Sequence, residues 1–153
     1  GLRGDGLEAL TRNINVYRKT WRECGHEGES SVYLRVPVYG ADTEAAAISE
    51  PKDNITYYFD RQAKMVAVGS PKGGNAERSK TAATLSSLSY DDILRDRVAF
   101  GTGPQLIERL QEWRDVLGID GITAEMNAGG MLTEAQVKNS LRVITRDVMP
   151  AFK

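Results

Sequence analysis

Apolar residues recur every three or four positions along most of this chain and alternate with polar ones in two short stretches. Residues 7–24, LEALTRNINVYRKTWREC, set Leu7, Leu10, Ile14, Tyr17, Trp21 and Cys24 on one face, which predicts an amphipathic helix stopped at Gly25. Residues 32–39, VYLRVPVY, are rich in β-branched and aromatic side chains and predict a strand. Val32, Leu34, Val36 and Val38 fall on one side of it, and Tyr33, Arg35, Pro37 and Tyr39 on the other. Pro37 cannot donate a ladder hydrogen bond and marks an irregularity there. Asp42 or Thr43 then caps a second helical region, TEAAAISEPKDNITYYFDRQAKMVAV, which Pro51 kinks or restarts. Two short helices are expected around 76–87 and 90–97, with Ser89 capping the second.

The last third has the sharpest pattern. Thr102 caps a helix with Pro104 near its first turn and Leu106, Ile107, Leu110, Trp113 and Leu117 on its apolar face. Gly118 stops it. A turn at Asp120-Gly121 leads into a strand over 119–126, expected to be buried, with Ile122, Ala124 and Met126 on one face and Thr123, Glu125 and Asn127 on the other. Thr133 with Gln136 forms a capping box that opens a final helix, whose buried face is Val137, Leu141 and Ile144 and whose end is Pro150. Helices thus separate two strands, a pattern that calls for parallel pairing with helical crossovers. Two parallel strands leave their edges open and cannot be covered by these helices. The expectation is a slice of a larger α/β protein, a single partial domain over 1–153; Gly1 in place of a methionine means either that the start was removed or that this is part of a longer polypeptide.

Composition changes this picture little. Of 153 residues, 41% are apolar and 27% charged, an ordinary globular balance. With 20 basic and 21 acidic residues the net charge is −1, so no electrostatic case exists for nucleic acid or an anionic membrane. No apolar run reaches membrane-spanning length and no signal-peptide pattern opens the chain, so a cytoplasmic location is expected. One cysteine, Cys24, and one histidine, His26, rule out an internal disulfide and leave almost no basis for a Cys/His metal site or a self-contained Ser-His-Asp triad.

The stretch RVAFGTGPQLIERLQEWRDVLGIDGITAEMNAGGMLTEAQVKNSLRVITRDVMPAFK resembles the C-terminal end of the luciferase-like flavin-dependent monooxygenases. Their pattern is a Gly-Thr-led helix, a Gly-hydrophobic-Asp-Gly entry to the last strand, a glycine-containing loop and a final helix closing in Val-Met-Pro. Gly101-Thr102, Gly118 to Gly121, Ile122 to Asn127 and Leu141 to Pro150 carry it here. VYRKTWRECGHEG followed by VYLRVPVYGADTEAAA is similar to the preceding helix and strand of that family. The resemblance implies an α/β fold, the C-terminal part of a (β/α)8 TIM-type barrel. Two parallel strands, at 32–39 and 119–126, would carry flanking helices and a helical insertion, with GLRG at 1–4 as the tail of an earlier strand. It implies reduced FMN, or a deazaflavin, acting with O2 on a small organic substrate, with a flavin reductase as a supplying partner and a homodimer as one assembly. Catalytic and phosphate-binding residues would lie upstream, so the chain alone is expected to be inactive. The rival expectation is a standalone half-barrel interaction module without catalytic activity.

Barrel chemistry sits at the C-terminal ends of strands. That makes Glu125 and Asn127 candidates for contacts to flavin or substrate, with Gly129-Gly130 letting backbone approach a ligand. The alternative for Glu125 is a structural pair with Arg35, whose planar guanidinium suits a carboxylate. Tyr39, near the end of its strand, either reaches the site or packs on helices. VGSPKGGNAERSK lacks P-loop spacing; the resemblance suggests a lid there, and a solvated loop is the alternative. The helix after FGTG is expected to begin at the end of the barrel away from the site. Cys24 reads as core, Trp21 and Trp113 have core spacing, and His26 reads as a solvated loop residue.

Overall fold

The computed structural model describes residues 6–68 and 76–153. The expected strand tail at 1–4 and the loop or lid at 69–75 lie outside them. In chain order the elements are α1 (Gly6–Glu23), β1 (Tyr33–Gly40), α2 (Glu44–Ser49), α3 (Lys52–Val68), α4 (Ala76–Ser86), α5 (Tyr90–Asp96), β2 (Ala99–Gly101), α6 (Gly103–Leu117), β3 (Gly121–Glu125) and α7 (Glu134–Val143). A π-helical turn (Ile144–Val148) and a 3-10 turn (Met149–Phe152) follow. Local chemistry sets the helix starts. The Thr43 hydroxyl accepts the Ala46 N–H at 3.2 Å, while Ser89 with Asp92 and Thr133 with Gln136 form reciprocal caps. Pro51 separates α2 from α3.

Among the described residues the sheet has three parallel strands in the order β2-β1-β3, where two were expected. β2 is only Ala-Phe-Gly, too short to show an alternation, and it runs straight into the cap of α6. β3 pairs with Tyr33–Pro37 and β2 with Val38–Gly40. Pro37 therefore sits where one ladder ends and the other begins, the place in a central strand where a missing N–H costs least.

Each face of the sheet meets different partners. Leu34, Val36 and Val38 point to one side and are buried with Leu106, Leu110, Trp113 and Ile119 beneath α6. Burial of each such side chain contributes roughly 1.5–3 kcal/mol. Tyr33, Arg35, Pro37 and Tyr39 point to the other side. Its C-terminal half is covered by the α2–α5 region, where Ile55, Phe59, Leu85, Ile93 and Val98 form a second core beside Phe100. Its N-terminal half is open, and Tyr33 is 64% exposed.

Three burial expectations change. β3 is a sheet edge and is only half-buried, with Thr123 and Ala124 exposed, because no strand covers its outer side among the described residues. On α1, Leu7, Leu10 and Ile14 join the core, but Tyr17 and Cys24 are exposed and Trp21 is half-buried. Arg18 donates to the carbonyl of Gly118, the left-handed cap that ends α6, so the last turns of α1 run past their packing partner. On the final helix Ser140 and Val143 are buried and Leu141 is exposed. There the Gly40 N–H donates to Ser140 Oγ at 2.8 Å, which turns the helix by part of a turn from the expected face. The π turn then returns Val148 to the core, and Pro150 lies within the terminal 3-10 turn rather than ending the helix. No helix among the described residues is long and apolar enough to cross a membrane.

Candidate functional site at the strand ends

Glu125 is the last residue of β3 and stands in register with Pro37, as Thr123 does with Arg35. Strand alternation puts all four on the sheet face that is open at its N-terminal half. Arg35 Nη2 donates to Glu125 Oε1, and the Tyr58 hydroxyl, from α3, donates to Oε2 at 3.3 Å. Both carboxylate oxygens are thus engaged. Burial is uneven: the Glu125 side chain is 14% exposed and that of Arg35 is 58% exposed. Of the two, the guanidinium is the group that an incoming molecule would meet.

Asn127 spends its amide on its own loop. Its Oδ1 accepts the Leu132 N–H at 3.1 Å and its Nδ2 donates to the Leu132 carbonyl at 3.4 Å. The glycines of that loop bring backbone against α3. A Cβ on Gly129 would stand 2.0 Å from the Asn54 carbonyl oxygen. Beside it the Met131 N–H donates to Asn54 Oδ1 at 2.9 Å, and Asn54 is buried. Tyr39 is also buried. Its ring meets Phe100 edge-on, and its hydroxyl donates to Glu50 at the α2–α3 junction. Burial first, then the Glu50 carboxylate, raise its pKa well above the usual phenol range. Pro37, Tyr39, Pro51, Asn54, Glu125 and Ala128 line a small pocket between these elements.

Tyr58 and Asn54 escaped the sequence pattern. Tyr58 shares a helical face with Ile55 and Phe59 and reads there as core, and Asn54 has no motif around it. α6 also begins at a different end from the one expected. β2 is parallel to β1, with Gly101 beside Gly40, and α6 follows it directly, so its first turn lies at the C-terminal end of the strands. His26 is exposed, its ring 4.6 Å from that of Trp21.

Neither a protein-family model nor a curated protein sequence matches the chain. A solved structure does. It is a type II Baeyer-Villiger monooxygenase, the oxygenating constituent of 3,6-diketocamphane monooxygenase from the CAM plasmid of Pseudomonas putida, in complex with FMN. The TM-score is 0.68 at 22% identity, over 95% of this chain and 40% of that one. At this identity the likeness shows the shared fold alone. The chain spans 40% of the length of the monooxygenase it matches.

Proposed function

We propose that this chain forms the closing part of a (β/α)8 barrel that binds a flavin and oxidises a small organic substrate with O2. The observation that carries the reading is the match of 95% of the chain to a segment of an FMN-bound monooxygenase. The open sheet supports it: among the described residues β3 presents an uncovered edge, and Tyr33 and Arg35 lie exposed on the face that would line a barrel. A reduced flavin, when bound, would supply the electrons for O2. FMN is the cofactor the match favours, and a deazaflavin is the variant the sequence resemblance allows.

The residues present fit one edge of such a group. Arg35, anchored by Glu125, offers N–H donors to a carbonyl or anionic edge on the open face. Glu125 acts through Arg35 rather than on a ligand. Tyr39 and Asn127 shape the mouth, since their polar atoms already serve Glu50 and Leu132. The remaining barrel strands would supply the phosphate contacts and the reacting groups, so this segment alone turns over no substrate. A reductase that delivers reduced flavin and a homodimeric assembly belong to the same reading.

The test is to isolate the native polypeptide that carries this sequence, weigh it intact and assay its flavin. The expected mass is roughly 30–40 kDa, the size of a full barrel with insertions, and the expected cofactor is FMN. A native mass near 16.8 kDa with no flavin bound would refute the proposal. It would favour the non-catalytic module, with a partner covering the open strands.

A further inference from the structure

Glu125 stands between two parts of the molecule. One oxygen receives Arg35 from the sheet, and the other receives the Tyr58 hydroxyl from α3. Tyr58 is 8% exposed and its ring meets Phe59 edge-on, with centroids 5.2 Å apart, so the direction of its hydroxyl is fixed by packing. α3 itself is pinned nearby through Asn54, which holds Met131 and abuts Gly129. Arg35 has no such support. A long, 58% exposed side chain loses much rotamer entropy when held in one geometry, and a single carboxylate that can itself turn would hold it loosely. Fixing the second oxygen fixes the plane of the carboxylate and so the direction in which the guanidinium points.

We propose that Tyr58 is a positioning residue: by holding one oxygen of Glu125 it aims Arg35 at the hydrogen-bond-accepting edge of a ligand on the open face of the sheet. Only the ligand's identity rests on the flavin reading. The role needs the hydroxyl and not the ring, so Tyr58→Phe keeps the packing and removes the hold.

The experiment uses the native polypeptide that carries this sequence, isotopically labelled, as wild type, Tyr58→Phe, Glu125→Ala and the double variant. Two quantities are read: the order of the Arg35 Nε–H by NMR relaxation, and FMN affinity by flavin fluorescence. Tyr58→Phe should lower the order of Arg35 and weaken FMN by about two- to tenfold, the weight of one hydrogen bond. In the Glu125→Ala background the same change should do nothing further, because the link is already cut. Unchanged Arg35 order in Tyr58→Phe would overturn the proposal, and so would losses that simply add in the double variant. If the wild type binds no FMN while Tyr58→Phe still loosens Arg35, the positioning role stands and the flavin reading falls. If FMN binds and Arg35 ignores the loss of the hydroxyl, the reverse holds.

Discussion

Gly129→Ala probes the contact that holds the loop after β3 against α3. The added methyl would stand 2.0 Å from the carbonyl oxygen of Asn54 and 2.8 Å from its Oδ1. The nearer atom is backbone, so no rotamer change relieves the clash. The loop must retreat until the gap passes 3.0 Å. That retreat breaks the 2.9 Å bond from the Met131 N–H to Asn54 Oδ1. Asn54 is 4% exposed, so water does not readily replace the lost donor. A net hydrogen bond of about 1 kcal/mol and a stranded buried acceptor at about 1–3 kcal/mol give a loss of roughly 2–4 kcal/mol. The neighbouring glycine is the control. Gly130 has φ +75° and open space around its Cβ position, so Gly130→Ala carries only the left-handed penalty of about 1–2 kcal/mol. Gly129 is outside that region of φ, so its cost is steric. Urea unfolding followed by tryptophan fluorescence measures both. A Gly129→Ala variant within about 0.5 kcal/mol of wild type, or less damaged than Gly130→Ala, would refute the account of this loop.

The remaining predictions concern the periphery. Cys24 is exposed, so a thiol reagent should modify it in the native protein as fast as a small free thiol; reaction only after denaturation would contradict the placement of α1. Tyr39→Phe should cost about 0.5–1.5 kcal/mol in urea, the weight of its bond to Glu50, which is solvent-exposed and loses little else. Hydrogen bonds from the Ser89 hydroxyl, then Arg95, then the Ser89 N–H hold the Asp92 carboxyl at about 2, below its usual 3.8. A carboxyl lowered by folding stabilises above its unfolded pKa and loses that contribution as pH falls toward the folded value. Acid titration of wild type should therefore show a loss between about pH 4 and 2 that Asp92→Asn lacks; identical acid limbs would contradict it.

Helix starts were readable because each is announced by a short polar signal next to an apolar period: Thr43, Ser89, Thr102 and Thr133 all fall where the chain turns into a helix. Parallel pairing was readable from the order of elements. β2 was not, since three residues carry no period and Gly101-Thr102 doubles as the approach to a cap. Its absence from the sequence pattern also hid the fact that α6 starts at the C-terminal end of the strands. Periodicity names a helix face but not how far the partner extends, so Tyr17 and Cys24 share a stripe with Ile14 and still lie in solvent. The pairing of Arg35 with Glu125 was legible from strand parity. Tyr58 was not, because a tyrosine on an apolar helix face looks like core until the direction of its hydroxyl is known.

The open face of this sheet is proposed to line a flavin site. Titrating the native, isotopically labelled polypeptide with FMN while following the amide and side-chain signals of Tyr33, Arg35, Thr123 and Glu125 tests it most directly. Saturable shifts are expected, centred on the Arg35 side chain and on Tyr33, with the exposed face of α1, around Val16, unaffected. Saturable FMN binding that leaves Arg35 and Tyr33 unmoved, or no binding at all, would contradict it.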